Sequence, residues 1–241
     1  MKIYGKTDTG MTRAHNQDAY INTLLAPNAV LSVVCDGMGG ANAGNVASEM
    51  AVRIITDYIK NSYRDDMDSL SAQNLLRSAI STANLEIYDA ALKNPDCSGM
   101  GTTAVAALVI NNKAYIAHVG DSRAYLLSDT IVQITRDHSM IQSLIEKGHL
   151  TAEEARSHPR KNVITRAVGI AEDVQCDFNE VDISGKQLLI CTDGLNGMLS
   201  NDEIFIAVRQ GDADTAPQRL IDSANEKGST DNVTVTLIDR L

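Results

Sequence analysis

The chain has 241 residues, 44% hydrophobic and 22% charged, which is enough apolar material for a two-sided core and fits one globular domain over 1–241. Its formal charge of −10 repels a nucleic-acid backbone and gives no counterion-release term, so no nucleic-acid partner is expected. The longest wholly apolar run, 104–110, falls far short of the ~20 residues that cross a bilayer. Residues 1–6 turn polar before a signal-peptide apolar stretch can form. The expectation is a cytoplasmic protein without membrane insertion.

Along the chain, 30–35 is the first short run rich in Val, Leu and Cys, and it closes on Asp36-Gly37, a strand with turn punctuation. Two long helical patterns follow. Val46, Met50, Ile54 and Tyr58 recur at four-residue spacing, then Leu76, Ile80, Ala83 and Ile87 follow nearly the same rule. Strand signals resume at 103–110 and 113–119, separated by Asn111-Asn112 as a hairpin turn, and at 124–127, with Ser128-Asp129 leading to 132–135 as a second hairpin. The stretch 139–174 differs in texture: a short helical pattern through Leu144 and Ile145, then charged, Pro-containing sequence that reads as a surface insertion. A strand at 188–192, helices at 202–209 and 215–226, and a last strand at 233–238 complete the pattern. Strands and helices fall in clusters, which favours α+β layers over alternating βα units. With no Trp and only Phe178 and Phe205, the core rests on aliphatic side chains, and Cys35, Cys97, Cys176 and Cys191, with no CxxC pair, read as reduced, buried small hydrophobes.

The chemistry lies where apolar strands meet aspartate. Cys35-Asp36-Gly37 and Thr192-Asp193-Gly194 follow strands, and Asp231-Asn232 precedes one. Carboxylates at strand ends from distant parts of a chain can meet at one sheet edge, and oxygen ligands suit hard cations such as Mg²⁺ or Mn²⁺. Taken singly, an Asp-Gly pair is an ordinary turn. Other chemistries are absent: Gly37-Met38-Gly39-Gly40 lacks the Lys-Ser/Thr ending of a phosphate-binding loop, and there is no serine nucleophile elbow or His-Glu-x-x-His helix. No cysteine has the arginine six positions on that a cysteine phosphatase needs; those positions hold Ala41, Thr103, Asp182 and Gly197.

Together the motifs resemble the metal-dependent type 2C protein phosphatases. They are Arg13-Ala14-His15-Asn16-Gln17-Asp18, Asp36-Gly37-Met38-Gly39-Gly40, Gly101-Thr102-Thr103-Ala104, Val119-Gly120-Asp121-Ser122-Arg123, Asp137-His138-Ser139, Thr192-Asp193-Gly194-Leu195 and Asp231-Asn232-Val233-Thr234, in that family's order. The resemblance spans 1–241, and the compact length is similar to the bacterial branch acting on phosphoserine and phosphothreonine. It implies an α+β fold, a central antiparallel β-sandwich flanked by helix pairs, with metals at one edge. It also implies two core ions, Mn²⁺ or Mg²⁺, and a third, weaker one.

On this resemblance Asp36 maps to the bridging carboxylate, Asp193 and Asp231 to the other ligands of the first ion, and the Gly37 carbonyl to the second. Asp18 maps to the residue that holds the second ion through its waters, and Asp121, with Asp193, to the third site. The implied reaction is direct attack of a metal-bridging hydroxide on the phosphate ester. Arg13 is the candidate phosphate clamp, since a guanidinium donates two parallel bonds to phosphate oxygens. Arg123 and Asn232 are expected to support Asp121 and Asp231, Gly101-Thr102-Thr103 to be a close-packing device, and His118 a strand-end histidine satisfied by hydrogen bonds. The proton is where the chain departs from the family: Met38 and Ala41 stand where relatives carry histidine. His138 and His158 are the histidines left to enter from elsewhere, and no general acid is assigned.

The segment 139–174 corresponds to the family's flap, with His158, Arg160 and Lys161 able to meet a phosphopeptide. Implied partners are phosphorylated proteins, including a Ser/Thr kinase, and the implied state is a monomer. Two competing readings are a metal-bearing but silent phosphoprotein binder, motivated by the missing histidines, and a structural or calcium-binding module. The lack of any Asp-x-Asp-x-Asp-Gly loop opposes the last.

Overall fold

The computed structural model describes residues 1–39, 43–151, 154–155 and 158–240; Gly40 and Ala41 lie outside the described residues. Successive side chains point to opposite faces, so the continuous apolar runs of the central strands give each sheet two apolar faces, and both are covered. One sheet has the order β1 (Lys2–Asp8), β11 (Val233–Asp239), β10 (Gln187–Cys191), β7 (Arg123–Leu127) and β8 (Ile131–Gln133). The other runs β2 (Asp18–Ala26), β3 (Ala29–Met38), β5 (Ala104–Ile110), β6 (Lys113–Val119) and β9 (Asp177–Asp182), with the two-residue β4 (Gly101–Thr102) paired to the end of β3. All pairings are antiparallel.

The sheets face each other across Val30, Val34, Val105, Val109 and Ile116 on one side and Ala124, Leu188, Ile190 and Ile238 on the other. On the outer face of the β3 sheet, Leu31, Val33, Ala106 and Leu108 pack against α1 (Gly44–Ser62) and α2 (Ser69–Lys93). On the outer face of the β11 sheet, Leu189, Val235 and Leu237 pack against α5 (Asn201–Arg209) and α6 (Ala216–Glu226), which follow the short α3 (Met140–Glu146) and α4 (Asp193–Asn196). The result is the expected α+β sandwich in four layers, helix, sheet, sheet, helix. Local chemistry sets the helix starts: the Asp68 side chain accepts from the Ser71 amide at 2.8 Å, and Ser200 and Glu203 form a reciprocal capping box.

Both expected hairpins are present, and Asn111 takes φ 55°, a conformation asparagine tolerates in a tight turn. The α2 stripe Leu76, Ile80, Ala83 and Ile87 is wholly buried, as expected. In α1 the deepest stripe is instead Ala47, Ala51, Ile55 and Ile59, one position on from the expected set, with Val46, Met50 and Tyr58 only half-buried. Alanines allow the helix backbone to approach the sheet, so the larger side chains ride at its margins. The cysteines are all free, but only Cys35 and Cys191 are buried, and Cys97 and Cys176 are partly exposed. Strands β1, β2 and β9, unmarked by an apolar run, all lie at sheet edges, where half-buried polar residues suffice.

Ile116 is fully buried between the sheets. Truncating it leaves a cavity between two rigid layers, so Ile116→Ala is expected to lower unfolding free energy by about 2–5 kcal/mol with an unchanged urea m-value, read by chemical denaturation.

Candidate active site

Strand pairing brings the aspartates together. Asp18 and Asp36 are Cα partners on β2 and β3. Asp193 follows β10 and Asp231 precedes β11, adjacent strands of the opposite sheet. Asp121 lies in the turn from β6 to β7, where the chain crosses between sheets. A bond across the sandwich closes the arrangement: Asp18 Oδ2 accepts from Thr192 Oγ at 2.9 Å and from Thr234 Oγ at 2.7 Å.

The backbone around Asp36 is held as tightly. Its N–H donates to Thr103 Oγ1 at 2.9 Å, and its C=O accepts from the Thr103 N–H at 2.8 Å and from Thr102 Oγ1 at 2.9 Å. The next residue must be glycine, because a Cβ on Gly37 would lie 2.0 Å from the Gly44 carbonyl oxygen. Its N–H donates to Gln17 O at 3.0 Å, tying β3 to the loop before Asp18. Asn232 supports the same loop: its Oδ1 accepts from the Gln17 N–H at 2.8 Å, and its Nδ2 donates to Thr9 O and His15 O at 2.8 and 3.1 Å. Its own N–H donates to Asp231 Oδ1 at 2.9 Å, as expected of a support for Asp231.

So many carboxylates in one place repel one another. Burial, then the charges of Asp193 and Asp231, push Asp18 up to about 7 despite its threonine bonds. Burial and the charges of Asp193 and Asp137 push Asp121 to about 7. Asp36 lies well above the usual carboxylate range through burial and the charges of Asp18, Asp193, Asp121 and Asp231, and Asp193 is raised by burial and by Asp231. Arg13, half-exposed at the rim, donates from Nη2 to Asp231 Oδ2 at 2.8 Å and from Nε to Thr230 O at 3.3 Å. Arg123, expected to support Asp121, lowers that carboxyl by its charge while its hydrogen bonds go elsewhere: Nε and Nη2 bind Asp137 and Nη1 bonds Tyr125, and Gln133 holds the same Asp137 carboxylate at 2.9 Å. An oxygen-only donor set with this much unbalanced negative charge fits hard divalent cations.

The structure answers the histidine question in part. His138 is 5% exposed with both ring nitrogens engaged, Nδ1 by the Gly120 amide and Nε2 by Asp177, so it is not a free proton donor. His118 is satisfied only at Nε2, against Arg136 O at 2.8 Å, and its buried Nδ1 has no hydrogen-bond partner among the described residues. The residues that sequence reasoning missed are Thr192, Thr234 and Thr103, all inside quoted motifs. Their signal was a hydroxyl next to a strand-end aspartate, and only packing shows which carboxylate or amide each one meets.

A family model described as protein phosphatase 2C matches residues 11–227. The chain belongs to the protein phosphatase 2C family. It is 38% identical over 98% of its length and 94% of the relative's to the serine/threonine phosphatase stp of Listeria monocytogenes. Its fold is similar to the crystal structure of the serine/threonine phosphatase Stp1 from Staphylococcus aureus, with TM-score 0.93 and 36% identity, covering 99% of this chain and 95% of that one. It is likewise similar to the catalytic domain of the phosphatase PstP, whose crystal structure is a complex with 2 manganese ions, at TM-score 0.85, 32% identity, and 98% and 96% coverage. The chain is thus a bacterial-type protein phosphatase, and its α+β sandwich is that of its relatives.

Because Asp18 and Asp121 titrate near 7 when folded and near 3.8 as free carboxylates, the metal-free folded state binds more protons than the unfolded chain between those values. Their contribution to stability is therefore lost as pH rises through that window. In chelator the melting temperature should fall between about pH 4 and 7, while Mn²⁺ stabilisation should grow over the same range as the carboxylates give up protons; differential scanning fluorimetry checks both, and a chelator curve that rises instead would contradict the electrostatics.

Proposed function

We propose that the chain is a divalent-metal-dependent serine/threonine protein phosphatase that hydrolyses phosphoserine and phosphothreonine by direct displacement, reversing a Ser/Thr kinase of the same cell. The observation that carries this is the meeting of Asp18, Asp36, Asp121, Asp193 and Asp231 at one sandwich edge, with one guanidinium, Arg13, at the rim. Asp36, Asp193, Asp231 and the Gly37 carbonyl would hold two core ions, Mn²⁺ or Mg²⁺. Asp18 would act through water ligands from behind, and Asp121 with Asp193 would hold a third, weaker ion. When bound, such ions supply an activated water and offset charge on the phosphoryl oxygens.

The chain's own residues do the rest. The threonine bonds keep the Asp18 oxygen turned toward the second sheet, and the Thr102–Thr103 clamp keeps Asp36 from shifting along β3. Arg13 is already tied to Asp231 by one terminal nitrogen, and Nη1 has no partner among the described residues, so it can donate to a phosphate oxygen while remaining anchored. With Met38 in place of an imidazole and both His138 ring nitrogens engaged, no general acid is assigned to the leaving alkoxide. The segment 139–174 is read as the flap of this single domain and faces the phosphoprotein. The manganese ions of the PstP relative support the metal reading.

Hydrolysis of p-nitrophenyl phosphate and a phosphothreonine peptide should require Mn²⁺ or Mg²⁺. Asp36→Ala and Asp193→Ala should abolish it, and Arg13→Ala should lower kcat/KM by about 10²-fold, the scale of one lost charge-stabilising donor. A folded protein that turns over neither substrate with any divalent ion, yet still binds phosphoprotein, would replace this reading with that of a silent binding module.

A further inference from the structure

Beside Asp121 lies a second polar cluster that the metal-site reading leaves unused. His118 on β6, His138 at the root of segment 139–174 and Asp177 on β9 bring side-chain ligand atoms within 4.8 Å of one another. Their geometry does not suit a shared cation. The two rings stack at 4.6 Å between centroids and 19° between planes, so their in-plane lone pairs do not converge. Arg166 already places a positive charge there, with Nη1 2.9 Å from Asp177 Oδ1 and 3.2 Å from His138 Nε2.

The hydrogen bonds assign the cluster a different task. The Gly120 N–H donates to His138 Nδ1 at 3.1 Å, which makes Nδ1 the lone-pair nitrogen and leaves the ring proton on Nε2. That N–H faces Asp177 Oδ2 at 3.2 Å. The His138 main-chain N–H donates back to Gly120 O at 2.8 Å, and His138 O accepts from the Thr165 N–H at 2.7 Å. One residue therefore grips both main-chain polar groups of Gly120, the residue before Asp121, while being tied to β9 and to the far side of the flap.

The turn it grips has no slack. Gly120 holds φ +104°, and a Cβ there would lie 2.6 Å from the Thr103 side chain. Ser122, on the other side of Asp121, shares a 2.8 Å hydrogen bond with Thr103 Oγ1, the atom that also receives the Asp36 N–H. Asp121 is thus held between a Thr103 contact leading to Asp36 and a His138 contact leading to the flap.

We propose that His138 is a positioning residue that sets the Asp121 carboxylate at the weaker cation site and couples its place to the flap root through Asp177 and Arg166. This rests on the reading of Asp121 as a ligand of that site. Losing an outer hydrogen-bond partner of a metal site costs about 10–100-fold in metal affinity, so the effect should appear in metal binding by the free protein, apart from turnover.

The test is Mn²⁺ binding to the intact chain, followed by electron paramagnetic resonance of free Mn²⁺, for wild type, Asp121→Ala, His138→Gln and His138→Asn. An asparagine amide oxygen falls where imidazole Nδ1 lies and can accept the Gly120 N–H, whereas glutamine reaches toward Asp177 instead. His138→Gln should weaken the weakest ion about tenfold or more, in the same direction as Asp121→Ala, with the tighter ions unchanged and Gly120 amide exchange accelerated by NMR; His138→Asn should stay within about threefold of wild type. A wild-type isotherm for His138→Gln beside a loss for Asp121→Ala overturns the proposal, as does equal loss in the glutamine and asparagine variants. An unchanged isotherm for Asp121→Ala overturns the ligand assignment beneath it. Should His138→Gln fail to fold, His138→Leu, which fills the ring's place but offers the Gly120 N–H no acceptor, should weaken the same ion, and a wild-type isotherm for it overturns the proposal.

Discussion

Mutual repulsion among carboxylates at one sandwich edge is the constraint around which the rest of the molecule is organised. Asp18, Asp36, Asp121 and Asp193 each raise one another's proton affinity or share neighbours that do, so the metal-free arrangement is one the chain does not adopt for its own stability. It is held in place by the two sheets. Aliphatic burial between them and beneath the helix pairs offsets a locally unfavourable cluster, a division of labour common at functional sites.

The holding is done mainly by hydroxyl and backbone groups, not by charge. Thr192 and Thr234 fix Asp18 from the opposite sheet, Thr102 and Thr103 fix the Asp36 backbone, and Asn232 fixes the loop that carries Arg13. Neutral donors suit this role: they orient carboxylate oxygens without neutralising them, so the negative potential that attracts a cation is kept. The nearby cations offset it only in part: Arg123 is paired with Asp137 and Arg166 with Asp177, and the charges of Arg13 and Arg123 lower Asp193 less than burial and Asp231 raise it.

The segment 139–174 is less detached than its composition suggests. Asn84 of α2 donates to Ala171 O and Glu172 O, both at 2.9 Å, and accepts from the Gly169 N–H at 2.7 Å. Val168 bridges to Thr102, next to the Asp36 clamp. Its second half is therefore anchored to the same framework that positions the aspartates.

The central strands, the paired helices and the motif aspartates were legible in the sequence because each announces itself locally: an apolar run, a four-residue stripe, an Asp-Gly turn. Edge strands β1, β2 and β9 were not, since a strand with one bare side needs no continuous apolar pattern. The α1 stripe was misplaced by one position because alanine carries little hydrophobic signal yet packs closest. Likewise adjacency showed that Arg123 lies by Asp121, where its charge acts, but not that its hydrogen bonds go to Asp137. What the sequence by itself determined was the α+β class and which aspartates stand at strand ends, because periodicity and residue type are properties of short stretches. Only the tertiary structure decided that Thr192 and Thr234 serve Asp18, that Thr103 serves Asp36 and that His138 grips the Asp121 turn, because each of those bonds joins segments whose approach is set by sheet pairing and layer packing.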